Sequence, residues 1–158
     1  MAKEKYIPNG YHNVTPSLSF KGTEEAIVWY KNVFGAQERS RINGPDKKIM
    51  HAEMTIGDSM IFLAEENPEY KNKTPKSVNG NSVSLHLYVE DVDGTIKKAV
   101  QNGATLTMPS MDMFYGDRVG CIDDPYGYTW VLATHVKDVP ENELKKKAEE
   151  FKPEHEHA

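Results

Sequence analysis

Ser17-Leu18-Ser19-Phe20 leads into a helical stretch at 22–34 that stops at Gly35, and His86-Leu87-Tyr88-Val89 leads into 91–102, which stops at Gly103. Phe20 and Val89 are 69 residues apart (89 − 20 = 69), and so are Ile27 and Ile96 (96 − 27 = 69). Further on, Met60-Ile61-Phe62-Leu63-Ala64 falls over Thr129-Trp130-Val131-Leu132-Ala133 at the same spacing. A register kept across a helix and a distant strand marks a duplicated supersecondary unit.

Working outward from the repeat gives the organisation of the chain. Residues 14–20 alternate, with Val14, Pro16, Leu18 and Phe20 on one side and Thr15, Ser17 and Ser19 on the other, which predicts a strand with one small polar face. Ile27, Tyr30, Val33 and Phe34 recur at helical spacing, with Thr23 as the expected N-cap and Gly35 as the stop. A short strand at 36–42 precedes strands at 49–56 and 59–65, which Gly57-Asp58 joins as a hairpin. The second half repeats this order: a strand at 83–89, a helix carrying Val92, Ile96, Ala99 and Val100, and strands at 104–111, 117–123 and 128–134. The predicted class is α+β: two tandem β-α-β-β-β modules forming a curved mixed sheet with a half-barrel cleft, plus a C-terminal helix. The modules span 6–65 and 83–136, a linker loop without elements spans 66–82, the final helix spans 137–152, and 153–158 is a disordered tail containing His155 and His157.

The bulk properties narrow the function classes. With 158 residues, 38% hydrophobic and 27% charged, the chain suits a soluble globular protein of one domain or two small modules. A formal charge of −5 argues against nucleic acid as a partner, since phosphate binding needs a basic face. Lys145-Lys146-Lys147 is interleaved with Glu141, Glu143, Glu149 and Glu150, as on a solvated helix face. The single cysteine, Cys121, leaves no internal disulfide and suits a reducing compartment. No apolar run has membrane-spanning length and Met1-Ala2-Lys3-Glu4-Lys5 lacks a signal-peptide core, so the expected location is the cytoplasm, with no membrane partner.

The alternation also points to a site. If the apolar side of each first strand covers the helix after it, then Thr15, Ser17 and Ser19, and likewise Ser84, His86 and Tyr88, look the other way. Met60, Phe62, Ala64, Thr129, Val131 and Ala133 share that face, together with His51, Glu53 and Thr55. Hydroxyls, two histidines, a carboxylate and apolar patches are the composition of a small-molecule pocket. An antiparallel sheet with one wet polar face has the same pattern, so the residues alone leave both readings open. Phe114-Tyr115-Gly116-Asp117-Arg118 is read either as one end of the cleft, with Arg118 meeting an anionic group, or as a tight turn in which Asp117 and Arg118 pair. Trp29 and Trp130 read as helix–sheet packing residues.

The paired modules, together with Ile49-Met50-His51-Ala52-Glu53, Ser84-Leu85-His86-Leu87-Tyr88-Val89-Glu90-Asp91-Val92, Phe114-Tyr115-Gly116-Asp117-Arg118 and Asp124-Pro125-Tyr126-Gly127-Tyr128, resemble the vicinal oxygen chelate superfamily and within it the PhnB-like branch. That superfamily contains glyoxalase I, bleomycin-binding resistance proteins, fosfomycin-inactivating transferases and extradiol dioxygenases. The resemblance covers about residues 6–150 and puts the metal ligands of the superfamily's enzymes at Thr15, Phe62, Ser84 and Val131. None of these is a ligand for a divalent cation, so no cofactor is expected, with a divalent metal left open only at a relocated cluster of His51, Glu53 and His86. Two functions remain. One is a metal-free protein that binds or sequesters a small organic ligand, with Ser17, Phe62, His86, Tyr88, Phe114, Tyr115 and Arg118 as ligand-binding residues. The other is a lyase, isomerase or dioxygenase type of enzyme with a relocated site around His51, Glu53 and His86. The resemblance further implies a homodimer, with exchange of modules through 66–82 left open.

Overall fold

A computed structural model describes residues 3–151; the tail expected at 153–158, with His155 and His157, lies outside the described residues. The elements run in the order β1 (Ser17–Phe20), α1 (Thr23–Phe34), β2 (Gln37–Asn43), β3 (Ile49–Ile56), β4 (Ser59–Glu65), β5 (Ser84–Tyr88), α2 (Val92–Gln101), β6 (Thr105–Asp112), β7 (Asp117–Asp123), β8 (Thr129–His135) and α3 (Glu141–Glu150). They form two four-stranded mixed sheets, in the orders β1-β4-β3-β2 and β5-β8-β7-β6. The chain divides into two units. The first is the chain up to Ser82 together with Asp124–Tyr128, and the second is Val83–Asp123 together with the chain from Thr129 onward. The predicted α+β class and the tandem β-α-β-β-β order are what the structure has.

The repeat is visible in the hydrogen-bond registers. Ser17 pairs with Phe62 and Leu18 with Leu63, and their counterparts His86–Val131 and Leu87–Leu132 pair in the same way 69 residues on (86 − 17 = 69). In the other two strands the offset is 68 (105 − 37 = 68): Gln37–Thr55, Glu38–Met54 and Ser40–Glu53 recur as Thr105–Asp123, Leu106–Ile122 and Met108–Cys121. Even the β-bulge after Glu38 recurs after Leu106. The residue is lost at the helix end, where the Ala36 amide reaches back to the Tyr30 carbonyl but the Ala104 amide reaches only to Ala99. The hairpin restores it. Ile56 and Ser59 flank the two-residue turn Gly57-Asp58, whereas Asp124 bonds to Tyr128 around the three-residue turn Pro125-Tyr126-Gly127.

In the first unit, Ala26, Ile27, Tyr30 and Val33 of α1 are buried, as are Leu18, Phe20, Ala52, Met54, Ile61 and Leu63 of the sheet. Each buried Val, Leu, Ile, Phe or Met of this set contributes about 1.5–3 kcal/mol relative to exposure. The expected cap of α1 is corrected. Thr23 is the first helical residue, Gly22 is the N-cap in a left-handed conformation with φ 90, and no cap side chain bonds the helix. The orphan donors are met by Glu65 at the end of β4, whose carboxylate accepts from the Gly22 amide (3.1 Å), the Thr23 amide (3.0 Å) and the Thr23 hydroxyl (2.9 Å). Asp91 caps α2 locally by accepting from the Gly94 amide at 3.1 Å.

Asp124 closes the aromatic end of this core. One carboxylate oxygen accepts the Tyr30 hydroxyl at 2.5 Å, and the other accepts the amides of Tyr126 (2.9 Å) and Tyr128 (3.0 Å). Phe20 lies edge-on to Tyr30, Tyr126 and Tyr128, with centroids 5.9, 5.3 and 5.5 Å away. Burial and the Asp124 charge push the Tyr30 phenol well above its ordinary pKa.

The stretch 66–82 carries more structure than the sequence suggests. A 3-10 helix spans Pro68–Tyr70, Asn67 bridges to Asn72, and the Glu66 carboxylate accepts the amide of buried Thr74 at 3.1 Å. In the second unit α2 lies close over β7: a Cβ at Gly120 would stand 2.4 Å from the Ile96 Cδ1. Trp29 and Trp130 are buried, as expected of packing residues. The final helix is shorter than expected, at Glu141–Glu150. Among the described residues no helix is long and apolar enough to cross a membrane.

Replacing Tyr30 by Phe keeps the ring and removes the donor to a buried carboxylate. Urea unfolding followed by circular dichroism is expected to show a loss of about 1.5–3 kcal/mol, and an unchanged midpoint would show that the bond contributes nothing net.

Candidate functional site

On the first sheet, one transverse row of the face turned away from α1 reads Ser17, Phe62, Glu53, Ser40 across β1, β4, β3 and β2. Alternation along β3 places His51 and Glu53 on this face and Ala52 and Met54 in the core. His51 Nε2 lies 3.0 Å from Glu53 Oε1, and the Tyr11 hydroxyl donates to Glu53 Oε2. The Phe62 ring lies near both, 4.9 Å from the His51 ring and 6.1 Å from the Tyr11 ring by centroids. Residues 6–13, lying before β1, form the other wall of a cavity of about 400 Å³ whose floor includes Thr15, Glu53 and Phe62.

The electrostatics follow from these contacts. The Tyr11 hydroxyl, and after it His51, hold the Glu53 carboxyl below its usual range against a smaller opposing effect of burial. The same bond raises the Tyr11 phenol, because a phenolate would face a carboxylate. Near neutrality the cavity therefore presents an ionised carboxylate with acceptor capacity left over, beside an aromatic ring and a hydroxyl. Sequence reasoning singled out His51, Glu53, Ser17 and Phe62 but missed Tyr11. Its contact with Glu53 spans 42 residues from a segment without periodicity, so alternation carries no sign of it.

His86 and Tyr88 belong to the second unit, where the row equivalent to Ser17-Phe62-Glu53-Ser40 is His86-Val131-Cys121-Met108. The counterpart of Glu53 is thus Cys121, a half-buried thiol pushed up by burial, and the 69-residue spacing conceals this because the repeat slips there. One step along the same face, the Tyr88 hydroxyl donates to Asp117 Oδ2 at 2.8 Å and His135 Nδ1 lies 2.7 Å from Asp117 Oδ1. The other ring nitrogen of His135 lies 2.7 Å from Asp138 Oδ1. The His86 ring is 5.1 Å from that of Tyr88. Asp117 is only 5% exposed, and burial alone would raise its carboxyl; the His135 and Tyr88 bonds outweigh this and lower it. His135 is raised by its Asp117 and Asp138 partners. Neither Asp117 nor His135 stands out in the sequence as a site residue, because they meet only through the β7–β8 pairing.

Asp117 and Arg118 do not pair with each other, which corrects the tight-turn reading. Arg118 shares parity with Gly120 and Ile122; its Nε lies 3.1 Å from Asp93 Oδ2 of α2 and its Nη1 lies 3.2 Å from Asp112 Oδ1 at the end of β6. Phe114 and Tyr115 meet edge-on at 5.4 Å, and Phe114 is also 5.3 Å from Phe151 at the end of α3. Among the described residues no group of three His, Cys, Asp or Glu side chains is placed to hold a metal ion. The four positions Thr15, Phe62, Ser84 and Val131 offer two hydroxyls and two apolar side chains, a donor set that does not fit a divalent cation.

Comparison with known proteins agrees with this architecture. The family described as Glyoxalase/Bleomycin resistance protein/Dioxygenase superfamily matches residues 16–132. An uncharacterized protein of Mycobacterium tuberculosis, Rv0887c, is 36% identical over 139 residues, covering 84% of this chain and 82% of the relative. Among solved structures, a PhnB protein from Bacillus cereus is similar with a TM-score of 0.61 at 21% identity, over 78% of this chain and 99% of that one. The At5g48480 product of Arabidopsis thaliana is similar with a TM-score of 0.63 at 21% identity, over 78% of this chain and 98% of that one. These structural likenesses are likenesses of fold.

The Asp117–His135 contact makes stability depend on pH at both ends. The raised His135 contributes stability that is complete below its unfolded value of 6.5 and is lost as pH rises through the higher folded value. The lowered Asp117 contributes stability present above its unfolded value of 3.8 and lost as pH falls through the lower folded value. Thermal unfolding across this range is expected to show a plateau between the two, and His135→Gln is expected to flatten the alkaline limb. An alkaline limb of the same slope in the variant would assign it to another group.

Proposed function

The chain belongs to the glyoxalase/bleomycin resistance protein/dioxygenase superfamily, and from that premise we propose that it binds a small organic ligand on the mixed face of its first unit without the superfamily's usual metal. The observation that carries this reading is the Glu53 carboxylate. It is held ionised by Tyr11 and His51, stands on the floor of a cavity of about 400 Å³, and shares that floor with Phe62. The cavity has the size range of a small-molecule site. A ligand that fits has a cationic or hydrogen-bond-donating group for Glu53 and an apolar body for Phe62. In the second unit, His86, Tyr88, Phe114 and Tyr115 offer a further set of aromatic and polar contacts to a ligand. The same reading makes the protein cytoplasmic, and a homodimer through its edge strands β2, β5 and β6.

A second reading, an enzyme of lyase, isomerase or dioxygenase type, is supported by one observation. Tyr11, Glu53 and His51 form a continuous hydrogen-bonded chain of titratable groups, which is the arrangement general acid–base chemistry needs. His86, the third histidine-and-carboxylate candidate from the sequence, lies outside that chain.

Titration with benzylamine followed by ¹H–¹⁵N spectra tests the binding reading. Saturable shifts are expected at Tyr11, His51, Glu53 and Phe62, and Glu53→Gln is expected to weaken binding by roughly tenfold or more. Equal affinity in the variant would remove Glu53 from the site. One bound divalent ion per chain, in protein purified without chelator, would replace the metal-free reading with a metal enzyme. Size-exclusion chromatography with light scattering at micromolar concentration is expected to give twice the chain mass of 17.9 kDa; a monomer would overturn the dimer.

A further inference from the structure

Beside the Glu53 cavity, a groove of about 730 Å³ runs along the outer edge of β1, walled on its far side by the stretch 71–82. Its chemistry is the reverse of that cavity. Lys71 and Lys73 line it with Ser17, Ser19 and Ser82, and no aspartate or glutamate does. Among the described residues neither ammonium meets a carboxylate, and none of the three serine hydroxyls has a hydrogen-bond partner. The backbone adds to this. Phe62 donates to the Pro16 carbonyl, so the parallel register turns the Ser17 amide toward the groove side of β1. The corresponding edge groups of Ser19 are already taken by the Tyr128 hydroxyl, at 2.8 and 2.9 Å.

The lysines sit on a tied segment. Lys71 has a left-handed backbone at φ 59 after the 3-10 helix. Asn72 Nδ2 donates to the Glu65 carbonyl at 3.0 Å, and Thr74 is buried and bonded to Glu66. Ser17 joins the two sites, because it lines the groove and pairs with Phe62 on the cavity floor.

We propose that this groove is an oxyanion subsite, in which Lys71, Lys73 and the hydroxyls of Ser17, Ser19 and Ser82 hold the phosphate, sulfate or carboxylate end of a small organic ligand. The proposal rests on the reading that the mixed face of the first unit binds such a ligand, and it makes that ligand zwitterionic: a donor or cation at Glu53 and an oxyanion at the lysines. Ammonium donors and hydroxyls lining one open volume are the groups that recognise oxyanions.

The test is a titration of the whole protein with inorganic phosphate and phenyl phosphate, and separately with benzylamine, followed by ¹H–¹⁵N spectra. Both phosphates are expected to give saturable shifts at Ser17, Ser19 and residues 71–82. The exposed double variant Lys71→Glu/Lys73→Glu is expected to weaken phenyl phosphate roughly tenfold or more, while its benzylamine response and thermal midpoint stay unchanged. Parallel titrations with benzenesulfonate and benzoate rank the three oxyanion classes. Absence of phosphate shifts at these residues, or equal affinity in the double variant, overturns the subsite. If phosphate saturates these residues but benzylamine leaves Glu53 unmoved, the subsite stands and the Glu53 reading falls; the reverse result sinks the subsite alone.

Discussion

The hydrogen bond from Tyr30 to Asp124 is the constraint on which the first unit depends. A carboxylate taken out of water is stable only if its oxygens are fully engaged. Here one oxygen accepts a phenol from α1 and the other accepts two amides of its own turn. The turn then delivers Tyr126 and Tyr128 against Phe20, and the Tyr128 hydroxyl takes both edge groups of Ser19. With Ser19 fixed, β1 is held in register against β4, and Ser17 is set beside Phe62. A polar core contact thereby determines where the face of the sheet begins.

The two sheets show how a duplicated backbone carries different chemistry. The registers, and one β-bulge, recur almost residue for residue. Backbone pairing tolerates any side chain on the solvent side of a strand, so that side is free to diverge. Where the first sheet has Ser17-Phe62-Glu53-Ser40 the second has His86-Val131-Cys121-Met108, with a thiol in place of a carboxylate at one row position. The lengths changed only where the chain turns, by one residue at a helix end and one at a hairpin, and the two changes cancel.

Both faces keep a carboxylate ionised, by different balances. Glu53 is held down mainly by the Tyr11 and His51 bonds. Asp117 is buried, so the same kind of contact must first overcome a desolvation effect that acts the other way. The bonds from His135 and Tyr88 together do so. Glu53 therefore remains available to a partner from outside, whereas Asp117 is spent inside the fold.

The 69-residue spacing, the period-2 alternation and the glycines at 35 and 103 were enough to read the class and the tandem modules from the chain, because these are properties of neighbouring residues. The apolar sides were read too far, since Val14 and Val83 precede the strands that begin at Ser17 and Ser84 and are exposed, while Ala133, expected on the outward face, is buried. Alternation also put His51, Glu53, Ser17 and Phe62 on one face. It could not show that Glu65, 42 residues from Thr23, meets the orphan donors at the start of α1, or that Arg118 is spent on Asp93 rather than Asp117. Nor could it pair Tyr11 with Glu53, or set Lys71 and Lys73 on a groove beside Ser17. What the sequence by itself determined was which way each side chain points from its own strand or helix. Which side chains meet was decided by tertiary structure alone, since charge and hydrogen-bond partners are chosen by distance in space rather than along the chain.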